Sequence, residues 1–103
     1  MTDPESLIDE LKDFLCIAFD DERTDRALKA ALSRGVSVIE DYAGATIDYS
    51  QDGAEKQLLF DYCRYVRSQA AEMFEINFRH DLIALRAKYE TEAANNADGE
   101  NES

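Results

Sequence analysis

The stretch from Leu58 to Arg86 constrains this chain most, because it carries more apolar surface than one helix of a small domain can hide. With Tyr49 before it and Tyr89 after it, the stretch accounts for seven of the ten aromatic residues, the others within it being Phe60, Tyr62, Tyr65, Phe74 and Phe78. On a helix turning about 100° per residue, Leu59, Tyr62, Cys63, Val66, Ala70, Met73 and Phe74 fall on one stripe. Leu58, Tyr65 and Ile76 flank that stripe on one side. Phe60 lies off the other, near Arg67, and Asp61, Arg64, Ser68 and Glu75 form the polar back. A stripe roughly 100° wide is enough to dock a helix on its own core. The flanking apolar side chains are therefore surplus, whereas Tyr62, Val66, Met73 and Phe74 belong in the core.

Further on, Phe78, Leu82, Leu85 and Tyr89 share a second face, turned about 120° from the first if the helix runs straight. One helix from Gly53 to Glu92 would be about 60 Å long at 1.5 Å per residue. A compact chain of about 100 residues has a radius of gyration near 13 Å. The spacing therefore predicts a break around Ile76-Asn77, after which the chain packs back.

A length of 103 residues supports one domain with one modest core. A single Pro, four Gly and frequent Ala, Leu, Glu and Arg favour an all-α fold. The expectation is a small antiparallel helical bundle of about four helices over residues 1–92, followed by a disordered acidic tail over 93–103. Cys16 and Cys63 both sit among apolar residues and read as buried free thiols of a reducing cytoplasm. The longest apolar run, from Phe14 to Phe19, is far too short to span a bilayer, and no stretch reads as a targeting segment.

The net charge of −12 is unevenly placed. Residues 1–52 hold thirteen acids against five bases, residues 53–89 five against six, and residues 90–103 five against none. Charge of this sign repels duplex DNA, which excludes ordinary groove binding. The near-neutral central segment can meet a partner without strong repulsion.

In chain order, Asp3-Pro4-Glu5 is a helix start, with Asp3 as N-cap and Pro4 at the first helical position; Ser6 with Asp9 is a competing cap. Leu7, Ile8, Leu11, Phe14 and Leu15 then predict a first helix over roughly residues 4–15. Asp20-Asp21-Glu22 places acids at the positive end of a second helix. That helix carries Leu28, Ala31, Leu32, Gly35, Ile39 and Tyr42 on one face to Ala43, and Gly44 is placed to end it at positive φ. Gly35 inside it costs about 1 kcal/mol against Ala, and the return is close approach of another helix. From Ala45 to Asp52, Ile47 and Tyr49 alternate with Asp48 and Ser50, an extended loop able to act as a contact arm. Asp52 can cap the third helix. Beyond Ala93 the residues are too small and polar to offset the cost of ordering.

No stretch carries a catalytic, cofactor-binding or metal-binding signature. His80 is the one histidine, and a zinc site with Cys16 and Cys63 would lack any usual ligand spacing. No serine stands in a nucleophile turn. Asp20-Asp21-Glu22 lacks the glycine and terminal glutamate of a calcium loop and reads as a solvated helix start. Asp61 with Arg64 is an ordinary helical ion pair, and Glu72 with Glu75 an exposed acidic face. A helical domain with surplus aromatic surface and no site is an assembly or interaction module.

Several runs sharpen this. Leu58-Leu59-Phe60-Asp61-Tyr62-Cys63-Arg64-Tyr65, Met73-Phe74-Glu75-Ile76-Asn77-Phe78 and Leu82-Ile83-Ala84-Leu85-Arg86 resemble the head–tail connector (adaptor) family of tailed bacteriophages. Ile39-Glu40-Asp41-Tyr42-Ala43-Gly44, and a first helix ending in Phe14-Leu15 ahead of an acidic loop, are also similar to that family. The resemblance spans roughly residues 5–90 and rests on packing residues; Cys63 departs from it where an aliphatic residue is expected.

The resemblance implies a virion protein, made in the host cytoplasm, that assembles as a ring, commonly of twelve copies, beneath the portal of a DNA-filled head. The ring would extend the DNA channel and present a surface to stopper or tail proteins, with DNA passing through without specific binding. Subunit contacts would then fall to Leu58, Phe60, Tyr65 and Ile76, with Arg64 and Arg67 in polar pairing and the Ile47 and Tyr49 loop reaching the portal or a neighbour. The competing reading is a small acidic helical regulator that binds a host protein, as a DNA mimic.

Overall fold

The computed structural model describes residues 7–102, with side chains described as far as Ala94. Five helices make up this part of the chain: α1 (Ile8–Phe14), α2 (Glu22–Ala43), α3 (Ala54–Arg67), α4 (Ala71–Asn77) and α5 (Arg79–Glu102). No strand occurs among the described residues. The fold is all-helical, as expected. Helix α2 is the spine, packing against α1, α3 and α5, while α4 bridges α3 and α5.

The ends of α2 follow from its sequence. The Asp21 carboxylate accepts from the Thr24 backbone N–H and hydroxyl, filling the N-cap role. At the other end Gly44 takes φ +68° and donates its N–H to the Glu40 carbonyl. Leu28, Ala31, Leu32, Gly35, Ile39 and Ala43 are the buried face. A Cβ added at Gly35 would meet Leu59 Cδ1 at 2.7 Å and Tyr62 Cδ2 at 3.0 Å. The glycine lets α3 settle onto α2 at short range. Leu28 and Ala31 share a recess with Cys63 and Val66, so rising residue numbers on α2 meet falling ones on α3.

The long central helix breaks twice. The expected break appears at Phe78, between α4 and α5. An earlier one, at residues 68–70, the apolar stripe did not announce. There the Ala70 N–H reaches the Tyr65 carbonyl, the Gln69 N–H reaches that of Val66, and Gln69 takes φ +59°. This is a Schellman close with a non-glycine residue in the left-handed position. Helix α1 ends the same way: Ile17 and Cys16 donate to Lys12 and Asp13, and Cys16 takes φ +61°. The turn at Gln69 swings α4 back so that Phe74 becomes fully buried, while Met73 points outward, 40% exposed, and not into the core.

Other expectations are revised. Helix α1 begins at Ile8, after Leu7, and the Asp3-Pro4-Glu5 and Ser6 caps lie outside the described residues. Gly53, not Asp52, occupies the N-cap of α3. The Asp52 carboxylate instead pairs with the Lys56 ammonium one turn on, at 3.1 Å. Cys63 is buried but Cys16 is exposed, because the left-handed turn aims its side chain outward. The backbone of α5 continues through the segment expected to be a disordered tail, as far as Glu102. Helix elongation from a formed helix is cheap, and Ala93 and Ala94 favour it without any burial.

Candidate functional site

The residues expected at a contact surface divide sharply. Ile47 and Tyr49 are buried at 2% and 1% exposure, so the loop folds inward and is no projecting arm. Its alternation does persist, with Asp48 and Ser50 outside. The Ile47 N–H donates to the Glu40 carboxylate, and the Ser50 N–H to that of Asp48, which tie the loop down. Burial pushes the Tyr49 hydroxyl well above the usual tyrosine range, with the Glu40 charge adding to it. Leu58 and Phe60 also lie in the chain's own core, Phe60 against Phe14 with ring centroids 5.6 Å apart. Helix α1 covers the flank of α3 that the sequence left bare. These four residues are unavailable for a subunit contact in this structure.

The other four remain accessible. Arg64 is exposed, pairs with Asp61 at 3.2 Å and lies over the Tyr65 ring at 5.2 Å. Tyr65 is half-buried, and its hydroxyl accepts from the Asn77 side chain. Arg67 is exposed, and Ile76 is 58% exposed. Two further large apolar side chains stand outside: Ile83, 58% exposed, and Phe19, 55% exposed, whereas the sequence led Phe19 to be expected, with Ile17, to pin the connection after the first helix; Ile17 alone is buried. Ile83 sits just off the Leu82 and Leu85 face, and a helical wheel of α5 reveals it. Phe19 gives no such signal, because a loop has no period.

Beneath this outer surface lies a rigid aromatic group. Phe74 and Phe78 stack at 4.9 Å, and Tyr62 and Tyr65 meet Phe74 edge-on at 5.2 and 6.0 Å. Tyr65 also meets Phe78 edge-on. Such pairs add about 0.5–1.5 kcal/mol each beyond area burial. The Tyr42 hydroxyl donates to Glu75 at 3.1 Å, joining the end of α2 to α4. Burial first, then Glu75, raises that hydroxyl above its usual range. Lys88 pairs with Glu55 at 3.0 Å and fastens α5 to α3. Ile76 stands on α4 between Phe74 and Phe78 in sequence, and Ile83 on α5 next to the buried Leu82.

Two lysines surface reasoning overlooked consume part of the acidic charge. Lys12 on α1 is buried between Asp25 of α2, at 2.6 Å, and Asp20 of the preceding loop, at 3.1 Å. Lys56 on α3 is buried between Glu10 of α1 and Asp52. The hydrogen bond to Asp25 leads in raising the Lys12 ammonium, and that to Glu10 leads for Lys56. The sequence signal was faint: Lys12 falls beside Leu11 and one turn after Ile8, on the inward side of α1.

Chemistry of other kinds finds little purchase. Among the described residues no group of three or more His, Cys, Asp and Glu side chains could hold a metal. His80 and Cys16 are exposed, whereas burial pushes the Cys63 thiol up to about 12. A charged groove of about 370 Å³ runs between α1 and α3, lined by Glu10, Asp13, Phe14, Lys56 and Phe60. No described helix is long and apolar enough to cross a membrane. No family model, curated protein or solved structure matches the chain.

Proposed function

We propose that this chain is a structural subunit of a phage head–tail connector, an antiparallel helical bundle that oligomerises as a ring under the portal. The ring extends the DNA channel, docks stopper or tail proteins, and belongs to the head–tail interface of the virion. One observation carries the reading: with α1 packed on the helical core, Ile76 and Ile83 are still more than half exposed. Ile76 on α4 and Ile83 on α5, seven residues apart, are apolar side chains left in solvent that an association would cover. The resemblance over residues 5–90 supplies the kind of assembly, and its usual copy number is twelve.

The net charge of −12 suits a channel wall that DNA slides past. The acidic regulator gains less support, because Asp20, Asp25, Glu10 and Asp52 are engaged by Lys12 and Lys56 rather than set out as a phosphate-like array. The test is native mass over a wide concentration range, with and without portal rings encoded by the same genome. A ring-sized species, alone or on the portal, is expected. A monomer or dimer that ignores the portal would sink the proposal.

A further inference from the structure

Helix α1 is a self-contained piece on a hinge. Its last turn closes on itself, the Ile17 N–H reaching the Lys12 carbonyl and the Cys16 N–H that of Asp13. Beyond Ile17, the residues Ala18, Phe19 and Asp20 make no backbone–backbone hydrogen bond among the described residues, and Asp21 already caps α2. Residues 18–21 are thus the whole covalent link between this piece and the spine.

Side chains hold the piece in place. Lys12 reaches Asp25 of α2 at 2.6 Å, Glu10 pairs with Lys56 of α3, and Phe14 lies on Phe60. Leu7, Leu11 and Ile17 are buried beside them. The seam with α3 is not closed along its length: the groove of about 370 Å³ opens there, lined by Glu10, Phe14, Lys56 and Phe60 themselves. A helix of seven residues is too short to persist alone in water, so α1 keeps its shape only on such a seat. The seat is specific in charge, because an anion at Glu10 and a cation at Lys12 must meet Lys56 and Asp25 respectively. Every copy of the chain presents that seat, and all three pairings can form between copies as well as within one.

Resting on the connector reading, we propose that α1 is exchanged between copies on assembly, residues 7–17 of one copy docking on α2 and α3 of the next. Straightened, the four hinge residues span about 13 Å. Short hinges favour exchange of this kind, and native contacts are rebuilt in it rather than replaced. Passed on from copy to copy, the exchange closes into a ring, and Phe60 becomes a subunit contact while α3 stays where it is. In a free copy the hinge keeps α1 close to its own seat. Exchange therefore needs a high local concentration, which copies held side by side on a portal provide.

The test mixes equal amounts of unlabelled and ¹⁵N-labelled full-length chains and assembles them, at high concentration and on portal rings. A carbodiimide then joins ammonium groups to carboxylates in direct contact, and mass spectrometry reads the peptides linking Lys12 to Asp25 and Glu10 to Lys56. Dilute protein is expected to give single-label peptides, and assembled protein as many mixed-label as single-label ones. A second measurement uses Lys12→Glu and Asp25→Lys chains, each of which sets like charges at its own seat, with circular dichroism to establish that each is helical. Their mixture is expected to associate at least about tenfold more tightly than either chain with itself, since α1 of the first fits the seat of the second. A mixture no more associated than its components would overturn the exchange. Wild-type assemblies that yield only single-label peptides would overturn it too, and if they sit on portal rings the connector reading still stands. Mixed-label peptides from assemblies that pass over portal rings would keep the exchange and sink the connector reading. Wild type that stays monomeric throughout would sink both.

Discussion

At Gln69 and Cys16 the backbone is left-handed without glycine, a conformation that costs an L residue roughly 1–2 kcal/mol. Gln69→Gly is therefore expected to stabilise the protein by about 0.5–1 kcal/mol, since glycine's unfolded entropy returns part of the gain. Urea denaturation checks this, and an unchanged midpoint would mean the turn is already relaxed. Gly35 presents the opposite case. Alanine there gains about 1 kcal/mol of helix propensity but overpacks against Leu59 and Tyr62, which costs about 1–3 kcal/mol. A net loss near 1 kcal/mol is expected for Gly35→Ala, and a larger one for Gly35→Val. The cysteines separate by accessibility: a thiol reagent should titrate one equivalent per native chain, at Cys16, and two only after unfolding. The fully buried Cys63, with its thiol raised to about 12, is the silent one.

Among the elements, α1 is held by two buried ammonium groups. Seven residues long, it is fastened to its neighbours through Lys12 and Lys56 as well as through Leu11. Both ammonium groups have folded pKa values above the ordinary 10.5. Their contribution to stability is complete below that value and is lost as pH rises through the raised folded values. Hydrogen exchange should show α1 amides losing protection in strongly alkaline solution before those of α2 and α3. Lys12→Met should speed α1 exchange at neutral pH in the same selective way. Asp21 behaves in reverse: Thr24 lowers its pKa below 3.8, so its cap is present above that value and is lost as pH falls through the lowered one. At the junction of α3, α4 and α5, Phe74→Ala empties the centre of the aromatic group and is expected to cost about 3–5 kcal/mol.

As a whole the molecule is elongated, 53 × 27 × 18 Å, with a radius of gyration of 15.3 Å, against about 13 Å for a compact chain of this size. Much of the length follows from α5, whose 24 residues span about 36 Å. The molecule's charge sets a further expectation: the protein should not retard duplex DNA in a gel even at low ionic strength. A salt-sensitive shift would contradict the channel-wall reading.

Period and local chemistry determined much by themselves. They specified an all-helical chain, most of the buried face of α2, its start at the acidic run Asp20-Asp21-Glu22 and its end at Gly44, the close approach at Gly35, and the Leu82 and Leu85 face of α5. These are properties of one helix and its own side chains, and a sequence displays them directly. Where surplus apolar surface would be covered depended on which element came to lie on it. Helix α1 took Phe60, and the inward loop took Ile47 and Tyr49, leaving Ile76 as the one apolar residue of the expected contacts more than half exposed. The left-handed turn at Gln69 left Phe74 in the core, as the stripe expected, but put Met73 outside it, which no periodic reading across an unbroken helix could foresee. Local sequence sets what each helix can bury; only the packed chain decides what is left over for a partner.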